Sequence, residues 1–506
     1  MEKTELTMPG IMFTGSVADD KAAETEYEAV IGLEVHVELK TGRKIFCSCR
    51  PRFGDEPNTA VCPVCLGMPG ALPVLSDETV TLAVRAGLAL GCTVNRTSWF
   101  DRKNYYYPDL PKGYQITQLE RPVCVGGAVP IETSAGRREI PLVRIHMEED
   151  AGKLIHRGEE TLIDYNRAGV PLIEIVSDPA LRTPEEAKAY LNSLRRILTY
   201  AGVSDCRMNE GSLRCDVNVS VRPRGSAEYG VKCEIKNVNS VNYVGRALEE
   251  EIARQTAMLR AGEEVEAQTR RFNEDTGKTE KMRVKEAFVD YRYYTEPNLP
   301  AIVLTDDWMR QTEAAMPPLP DEAARTLTER FGVKRENAAL LTTSVFVTEY
   351  FTACAEACRS DGERSAAENL FIGELLDRID PDAPSRPLEP DALAGAAELF
   401  AEGRIVSGNA RKLVHMLAQA GARTREDALR AAGENRLLKI TDPEELMPFV
   451  RAAAEACPKA IADYGRGKTA ALKQVLGQVM RAAEGRADPV MAEKMIRELA
   501  DEMNKM

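Results

Sequence analysis

Ala29-Val-Ile-Gly-Leu-Glu-Val-His-Val-Glu-Leu39 alternates apolar Ala29, Ile31, Leu33, Val35, Val37 and Leu39 with Val30, Gly32, Glu34, His36 and Glu38. A period of two predicts a β-strand, and in a strand that alternation puts both glutamates and the histidine on one face. An ordinary half-buried strand with a solvated polar face has the same pattern. Histidine is scarce, however: of four in 506 residues, His36, His146 and His156 all lie in segments rich in acids. That uneven placement favours a site over a merely wetted surface.

Other segments repeat the theme. In Val143 to Asp150, Arg144, His146 and Glu148 alternate with Val143, Ile145, Met147 and Glu149; the strand must end nearby, so the pattern leaves open whether Glu148 or Glu149 turns inward. Leu213, Cys215, Val217, Val219 and Val221 alternate with Arg214, Asp216, Asn218, Ser220 and Arg222, and Val231, Cys233 and Ile235 with Lys232, Glu234 and Lys236. A sheet of such strands has one apolar face and one that mixes carboxylates with cations. Carboxylates and a histidine can hold Mg²⁺ or Mn²⁺ near phosphates, while arginine and lysine neutralise the transferred group. Glu174 interrupts the apolar run Val170 to Val176, where an unpaired carboxylate would cost roughly several kcal/mol unless a metal or cation stands beside it. A core ion pair with an arginine such as Arg167 is the other explanation.

Cys47-x-Cys49 and Cys62-x-x-Cys65 are separated by twelve residues that include Gly54, Pro57 and Asn58, enough to fold both pairs around one ion. Four thiolates in a tetrahedron make a structural zinc site with no open position for catalysis. The remaining cysteines of the 12 are scattered through apolar segments, which is not a disulfide framework.

Lys+Arg 66 against Asp+Glu 79 leaves a net charge of −13, so any RNA contact rests on local basic patches and not on bulk charge. With 44% hydrophobic residues over this length, two to four domains are expected. The first 26 residues lack the apolar stretch of a signal peptide, and no run approaches the roughly 18 apolar residues of a membrane span. The expectation is a cytoplasmic protein with reduced thiols and no membrane contact.

From Tyr27 to about Leu299 short alternating segments are separated by Gly- and Pro-rich turns, an α+β pattern with two obvious helices. One opens at Thr183-Pro184-Glu185-Glu186 as a capping box and runs to about Tyr200; the other spans about Val244 to Ala261. Met316-Pro317-Pro318-Leu319-Pro320 marks a boundary beyond which everything reads as helix. Breaks follow at Asp380-Pro381-Asp382-Ala383-Pro384 and near Gly433, and Thr441-Asp442-Pro443-Glu444 reads as another capping box. The expected division is a disordered extension 1–26, a catalytic domain 27–316, a helical domain 317–437 and a helical tail 438–506.

Long stretches of this chain together resemble the family of B subunits of the aspartyl-tRNA(Asn)/glutamyl-tRNA(Gln) amidotransferase. They are Ile31-Gly-Leu-Glu-Val-His-Val-Glu-Leu39, Val61-Cys-Pro-Val-Cys-Leu-Gly-Met-Pro-Gly70, Asp101-Arg-Lys-Asn-Tyr-Tyr-Tyr-Pro-Asp-Leu-Pro-Lys-Gly-Tyr-Gln115, His146-Met-Glu-Glu-Asp-Ala-Gly-Lys153, Asn166-Arg-Ala-Gly-Val-Pro-Leu172, Glu210-Gly-Ser-Leu-Arg-Cys-Asp216 and Val475-Leu-Gly-Gln-Val-Met480. The likeness runs from Tyr27 to the C-terminus.

The resemblance implies a cradle-shaped catalytic domain of the glutamine synthetase and guanidino kinase kind, a helical domain and a tail that contacts tRNA. It implies a ligase that uses ATP to phosphorylate the side-chain carboxylate of glutamate or aspartate misattached to tRNA. Ammonia released from glutamine by an A subunit then displaces the phosphate to give the amide. Its implied partners are that A subunit and a small C subunit in a heterotrimer, the misacylated tRNA, and a non-discriminating aminoacyl-tRNA synthetase as a further candidate.

Carried onto this chain, the family's Mg²⁺ or Mn²⁺ site matches Glu34, His36, Glu149, Glu174 and Asp216, favouring Glu149 over Glu148. The four cysteines match zinc ligands, and Lys103 matches a position near the route by which ammonia arrives. Glu38, Arg214 and Lys236 are left as neighbours facing the nucleotide. There is no Gly-x-x-x-x-Gly-Lys-Ser/Thr loop, which excludes the commonest phosphate cradle but not a site borne on the sheet. Asp290 to Pro300 departs from the usual pattern at Thr295 and Asn298, outside the proposed ligands.

Two rivals compete. A non-catalytic tRNA-binding scaffold has no use for several acids converging on a metal. The archaeal-type E subunit carries an inserted domain for which Pro300 to Asp321 leaves no room. In the tail, Lys459, Arg466, Lys468, Lys473, Arg481 and Arg486 are the candidate phosphate contacts, against the alternative of a solvated helix face.

Overall fold

The computed structural model describes residues 26–504 apart from 52, 285–289 and 382, so the extension expected to be disordered lies, but for Glu26, outside the described residues. The strands in chain order are β1 (Tyr27–Glu38), β2 (Thr93–Val94), β3 (Thr97–Ser98), β4 (Asp101–Asn104), β5 (Tyr114–Thr117), β6 (Cys124–Val125), β7 (Ala128–Thr133), β8 (Gly136–Glu149), β9 (Lys153–Arg157), β10 (Glu160–Asp164), β11 (Pro171–Ser177), β12 (Leu213–Pro223), β13 (Cys233–Val238), β14 (Gln268–Asn273), β15 (Lys278–Val284), β16 (Tyr294–Thr295) and β17 (Ile302–Val303). Ten of them form one sheet in the order β15-β14-β13-β12-β1-β11-β8-β6-β2, with β7 paired to β8. The α+β reading holds. All named pairs in this sheet are antiparallel except β13 with β14.

Strand β1 is central because its odd positions are apolar and its even ones small or polar. Ile31, Leu33, Val35 and Val37 are 0% exposed on one face. They pack with Ile145, Met147, Ile173, Ile175, Val217 and Val219 of the neighbouring strands against three helices, α1 (Asp77–Ala89), α2 (Pro184–Tyr200) and α3 (Val241–Arg260). Each such side chain contributes about 1.5–3 kcal/mol by leaving water. The other face is left free of helices for polar groups.

Local signals set the helix ends. Thr183 Oγ1 accepts from Glu186 N at 3.1 Å, as the capping pattern requires. The Glu186 carboxylate, however, accepts from Arg182 N at 2.6 Å, so the box closes one residue early. At the later site Asp442, not Thr441, caps the helix Pro443–Ala456 by accepting from Glu444 N at 2.9 Å. Helix α1 is not evident from the sequence, since threonine, valine and Gly87 dilute its helical signal. Gly87 is there for contact: a Cβ on it would come within 2.2 Å of Cys124 Sγ on β6. The proline run ends one helix, α4 (Asp306–Ala314), and supplies the first residue of the next, α5 (Pro320–Phe331).

From α5 onward the described chain is helical. Its buried residues form three clusters: one from Ala29 to Met309, one from Leu327 to Leu437 and one from Ile440 to Ala500. Among the described residues no helix is long and apolar enough to cross a membrane.

Candidate functional site

The free face of the sheet collects the polar residues because in-register antiparallel neighbours point the same way. Against β12, Glu34 faces Asp216, His36 faces Arg214 and Gly32 faces Asn218. Against β11, His36 faces Glu174, and across from β11 on β8, Glu174 faces His146 and Leu172 faces Glu148.

Two groups of ligand atoms result. His36 Nε2 lies 3.4 Å from Glu148 Oε1 and 3.3 Å from Glu174 Oε2, and His146 Nε2 lies 3.3 Å from the same Glu174 oxygen. Glu34, Asp216 and Glu234 form the second group. In each group of three, one donor atom from every residue lies within 4.8 Å of the others. Glu34 and His36 are two residues apart on one strand, so the groups are separated by about 7 Å along it. Of the residues expected at one centre, His36 and Glu174 fall in the first group and Glu34 and Asp216 in the second. Each group is completed by an acid not expected there, Glu148 or Glu234.

Glu149 stands elsewhere. Paired with Pro171 in register, it points away from the free face, where both its oxygens accept from Lys112 Nζ and Oε1 also accepts from Ile116 N at 2.8 Å. The geometry therefore departs from the assignment of Glu149 to the His36 group; Glu148 occupies that place. Among the described residues the ion-pair partners of Glu174 are His36 and His146, not Arg167. Arg167 pairs with Asp150 at 3.4 Å, as does Arg214 at 2.6 Å.

The electrostatics follow from burial and mutual contact. Burial disfavours a charged His36, yet its bond to Glu174 and the nearby Glu148 push it up to about 9. Burial likewise opposes ionisation of Glu174, but the bonds from His146 and His36 hold its carboxyl well below the usual range. Burial raises Glu148. Glu38, further along the same face, is pushed up to about 7, first by burial and then by Asp150. In the second group Lys236 Nζ donates to Asp216 at 2.6 Å and lies 3.3 Å from Glu234, while Asn218 Nδ2 donates to Glu34 at 2.9 Å. Three carboxylates so close repel one another, and a divalent cation is the natural remedy.

Beyond Glu34 the same face carries fewer charged side chains. Val30, Gly32, Val176, Ser220, Tyr229 and Lys232 help line a cavity of about 260 Å³ that also reaches Glu34 and Asn218. A larger groove of about 460 Å³ between α2, β7 and α5 holds none of the clustered residues, and its Arg137 and Arg196 both pair with Asp321. On the other side of the His36 group, Lys103 Nζ stands 4.9 Å over the ring of Tyr291 and 5.8 Å over that of Tyr105. His156 lies apart on the β9–β10 hairpin, bonded to Thr161 at 2.9 Å.

The thiols of Cys47, Cys49, Cys62 and Cys65 also lie within 4.8 Å of one another. Cys65 Sγ is 3.8 Å from Cys62 Sγ and accepts from Cys62 N at 3.1 Å, a turn that aims both sulfurs inward. In the tail, Lys459, Arg466, Lys468, Lys473 and Arg481 are exposed and Arg486 is half-buried. Arg466 and Lys468 share Asp463, which leaves Lys459, Lys473 and Arg481 as the less encumbered cations.

A family model described as the GatB/GatE catalytic domain matches residues 29–310, and one described as the GatB domain matches residues 349–499. The chain is similar to the B subunit of the aspartyl/glutamyl-tRNA(Asn/Gln) amidotransferase of Caldanaerobacter subterraneus subsp. tengcongensis, with 46% identity over 94% of this chain and 99% of that one. The corresponding protein of Carboxydothermus hydrogenoformans is 46% identical over 94% of this chain and 98% of its own length, and that of Moorella thermoacetica 45% identical over 94% and 99%.

Proposed function

Since the chain belongs to the family of B subunits of aspartyl/glutamyl-tRNA(Asn/Gln) amidotransferases, we propose that it is the subunit that activates the misattached amino acid. In this reading ATP phosphorylates the side-chain carboxylate of glutamate or aspartate on misacylated tRNA(Gln) or tRNA(Asn). Ammonia made from glutamine by an A subunit then displaces the phosphate. The working assembly is a heterotrimer with that subunit and a small C subunit, acting in the cytoplasm. The ten-stranded sheet serves as the cradle of a glutamine synthetase-like catalytic domain.

The observation that carries this reading is the order of chemistry along β1: a largely uncharged cavity beside Gly32 with Lys232 on its wall, then Glu34 with Asp216 and Glu234, then His36 with Glu148 and Glu174. A nucleotide has the same order, from an uncharged base to charged phosphates. Glu34, Asp216 and Glu234, all hard oxygen donors, suit Mg²⁺, and the histidine-bearing group suits Mn²⁺ equally well. A divalent cation at either place would neutralise phosphate oxygens and orient them for transfer.

The protein's own residues do the rest. Lys236, already held by Asp216 and Glu234, and Arg214, held by Asp150, bring positive charge to the same face. Both are free to turn toward a phosphate by exchanging one anionic partner for another. Arg214 and Glu38 bracket the far end, where the amino-acid carboxylate would be presented. Lys103, screened by tyrosine rings, stands where ammonia would enter. No nucleophilic serine or cysteine is required, because phosphoryl transfer needs chiefly positioning and charge neutralisation. Zinc in the four-cysteine site would be structural, and the exposed tail lysines and arginines would contact tRNA phosphates.

A pure tRNA scaffold is disfavoured by the same observation, since it has no need of two acid clusters on one face. The deciding experiment is a transamidation assay of the assembled complex with each misacylated tRNA, ATP and glutamine. ATP-dependent formation of Gln-tRNA(Gln) or Asn-tRNA(Asn) is expected; glutamine hydrolysis with no amide on either tRNA would sink the proposal.

A further expectation concerns the proton on His36. Its acid partners push His36 up to about 9, so near neutral pH a cation bound there must displace a proton. Affinity for Mn²⁺ should therefore rise with pH, by about tenfold per unit, and level off above the free group's titration. Calorimetric titrations in two buffers of different ionisation enthalpy should count about one proton released per ion. No release would remove His36 from the ligand set.

A further inference from the structure

Lys44 is 0% exposed, the most deeply buried lysine side chain of the described residues. A buried ammonium ordinarily has a carboxylate beside it. Among the described residues, the hydrogen-bond partners of Lys44 Nζ are Ala60 O at 2.8 Å, Tyr165 O at 3.4 Å and Cys65 Sγ at 3.6 Å, none of them a carboxylate. The anion it faces is sulfur. Four thiolates around Zn²⁺ carry a net charge of about −2, and a buried cation touching one of them offsets part of that charge.

The same side chain reaches out of the cysteine loop. Tyr165 and Gly169 belong to the segment that leads into β11, the strand bearing Glu174. Ile45 N donates to Gly169 O at 3.0 Å, and Gly169 N donates to Asp150 O at 2.9 Å, just past the end of β8. Gly169 adopts a φ of +82°, and a Cβ there would touch Cys65 Cβ at 3.5 Å and Lys44 Cδ at 3.6 Å. The lysine stem is therefore clamped between the cysteine loop and the backbone joining β8 to β11.

We propose that Lys44 is the charge partner of the four-cysteine site and the tie that holds this site to the segment feeding β11. The proposal rests on the reading that the four cysteines bind zinc. Lys44 acts through Cys65 and Tyr165 and is a positioning residue. Outer partners of metal ligands set ligand basicity and orientation, and their loss commonly weakens metal binding by about 10–100-fold.

The test compares full-length wild-type protein with Lys44→Met, which keeps the stem and removes the charge. Zinc content of the wild type is measured first, then zinc affinity by competition with a chromophoric chelator. The same two proteins are loaded with Co²⁺ to record the thiolate-to-metal charge-transfer bands. The variant is expected to hold zinc about 10–100-fold more weakly and to show shifted bands, a shift that mere loss of packing does not produce. One zinc per wild-type chain with equal affinity and unshifted bands in the variant would overturn the role of Lys44 while leaving the zinc reading intact. Absence of zinc from the wild type overturns both. Should the variant not fold, hydrogen exchange on the wild type before and after zinc removal decides the matter. Faster exchange at the Ile45 and Gly169 amides is expected, and unchanged exchange there overturns the tie.

Discussion

Replacing Asp216 with alanine is expected to reduce ATP-dependent amide formation on misacylated tRNA by about 10³-fold or more, while glutamine hydrolysis by the partner chain is largely retained. The asymmetry comes from where Asp216 stands. Its carboxylate shares the second acid group with Glu34 and Glu234, and it holds Lys236 by a 2.6 Å bond. Alanine removes one proposed metal ligand and at the same moment frees Lys236 to settle on Glu234, 3.3 Å away, so a second proposed ligand is drawn off. Loss of one charge therefore disables two acids. In the proposed assembly glutamine hydrolysis would belong to another chain and would use neither. Amidation within tenfold of wild type would mean that phosphoryl transfer does not occur at this group.

How much of this arrangement is legible in the sequence depends on the range of each interaction. The alternation in Ala29 to Leu39 is local, and it locates the buried and free faces of β1 correctly. Polar-face membership of His36 and Asp216 follows from the same rule, whereas Glu174 stands out only as a charge inside the apolar run Val170 to Val176. The division into two centres does not, because it depends on which strands flank β1 and in which register. Glu34 sits opposite Asp216 only because β12 pairs with β1, and that pairing joins residues far apart in the chain. Glu234 is visible as a polar-face residue of its own strand. Its proximity to Glu34 requires knowing that β13 lies beyond β12. Helix α1 is hidden for a different reason: Gly87 is dictated by contact with Cys124, and such a tertiary demand overrides the helix pattern. The proline run from Met316 to Pro320 reads as an interruption, whereas Pro320 is also a beginning, since a proline fits the first turn where no amide partner is needed.

Glu148 and Glu149, adjacent in sequence, are expected to fail in opposite ways when each is changed to glutamine. A strand that ends at Glu149 turns its last two side chains to opposite faces, which is why pattern alone does not choose between them. Glu148 lies 3.4 Å from His36 Nε2 on the free face, with Thr117 Oγ1 3.5 Å from its other oxygen. Glutamine there keeps the shape and a hydrogen-bonding oxygen but loses the charge that a cation needs, so amide formation should fall by about 10²–10³-fold with little change in stability. Glu149 neutralises Lys112, and the two side chains are only 4% and 12% exposed. Glutamine at that position leaves a buried ammonium without its counter-ion, and removal of one partner from such a pair costs about 3–5 kcal/mol. Denaturant unfolding of the two variants beside transamidation rates separates the effects. A stable but inactive Glu149→Gln together with an active Glu148→Gln would return the ligand to Glu149 and require the end of β8 to turn over when the cation binds.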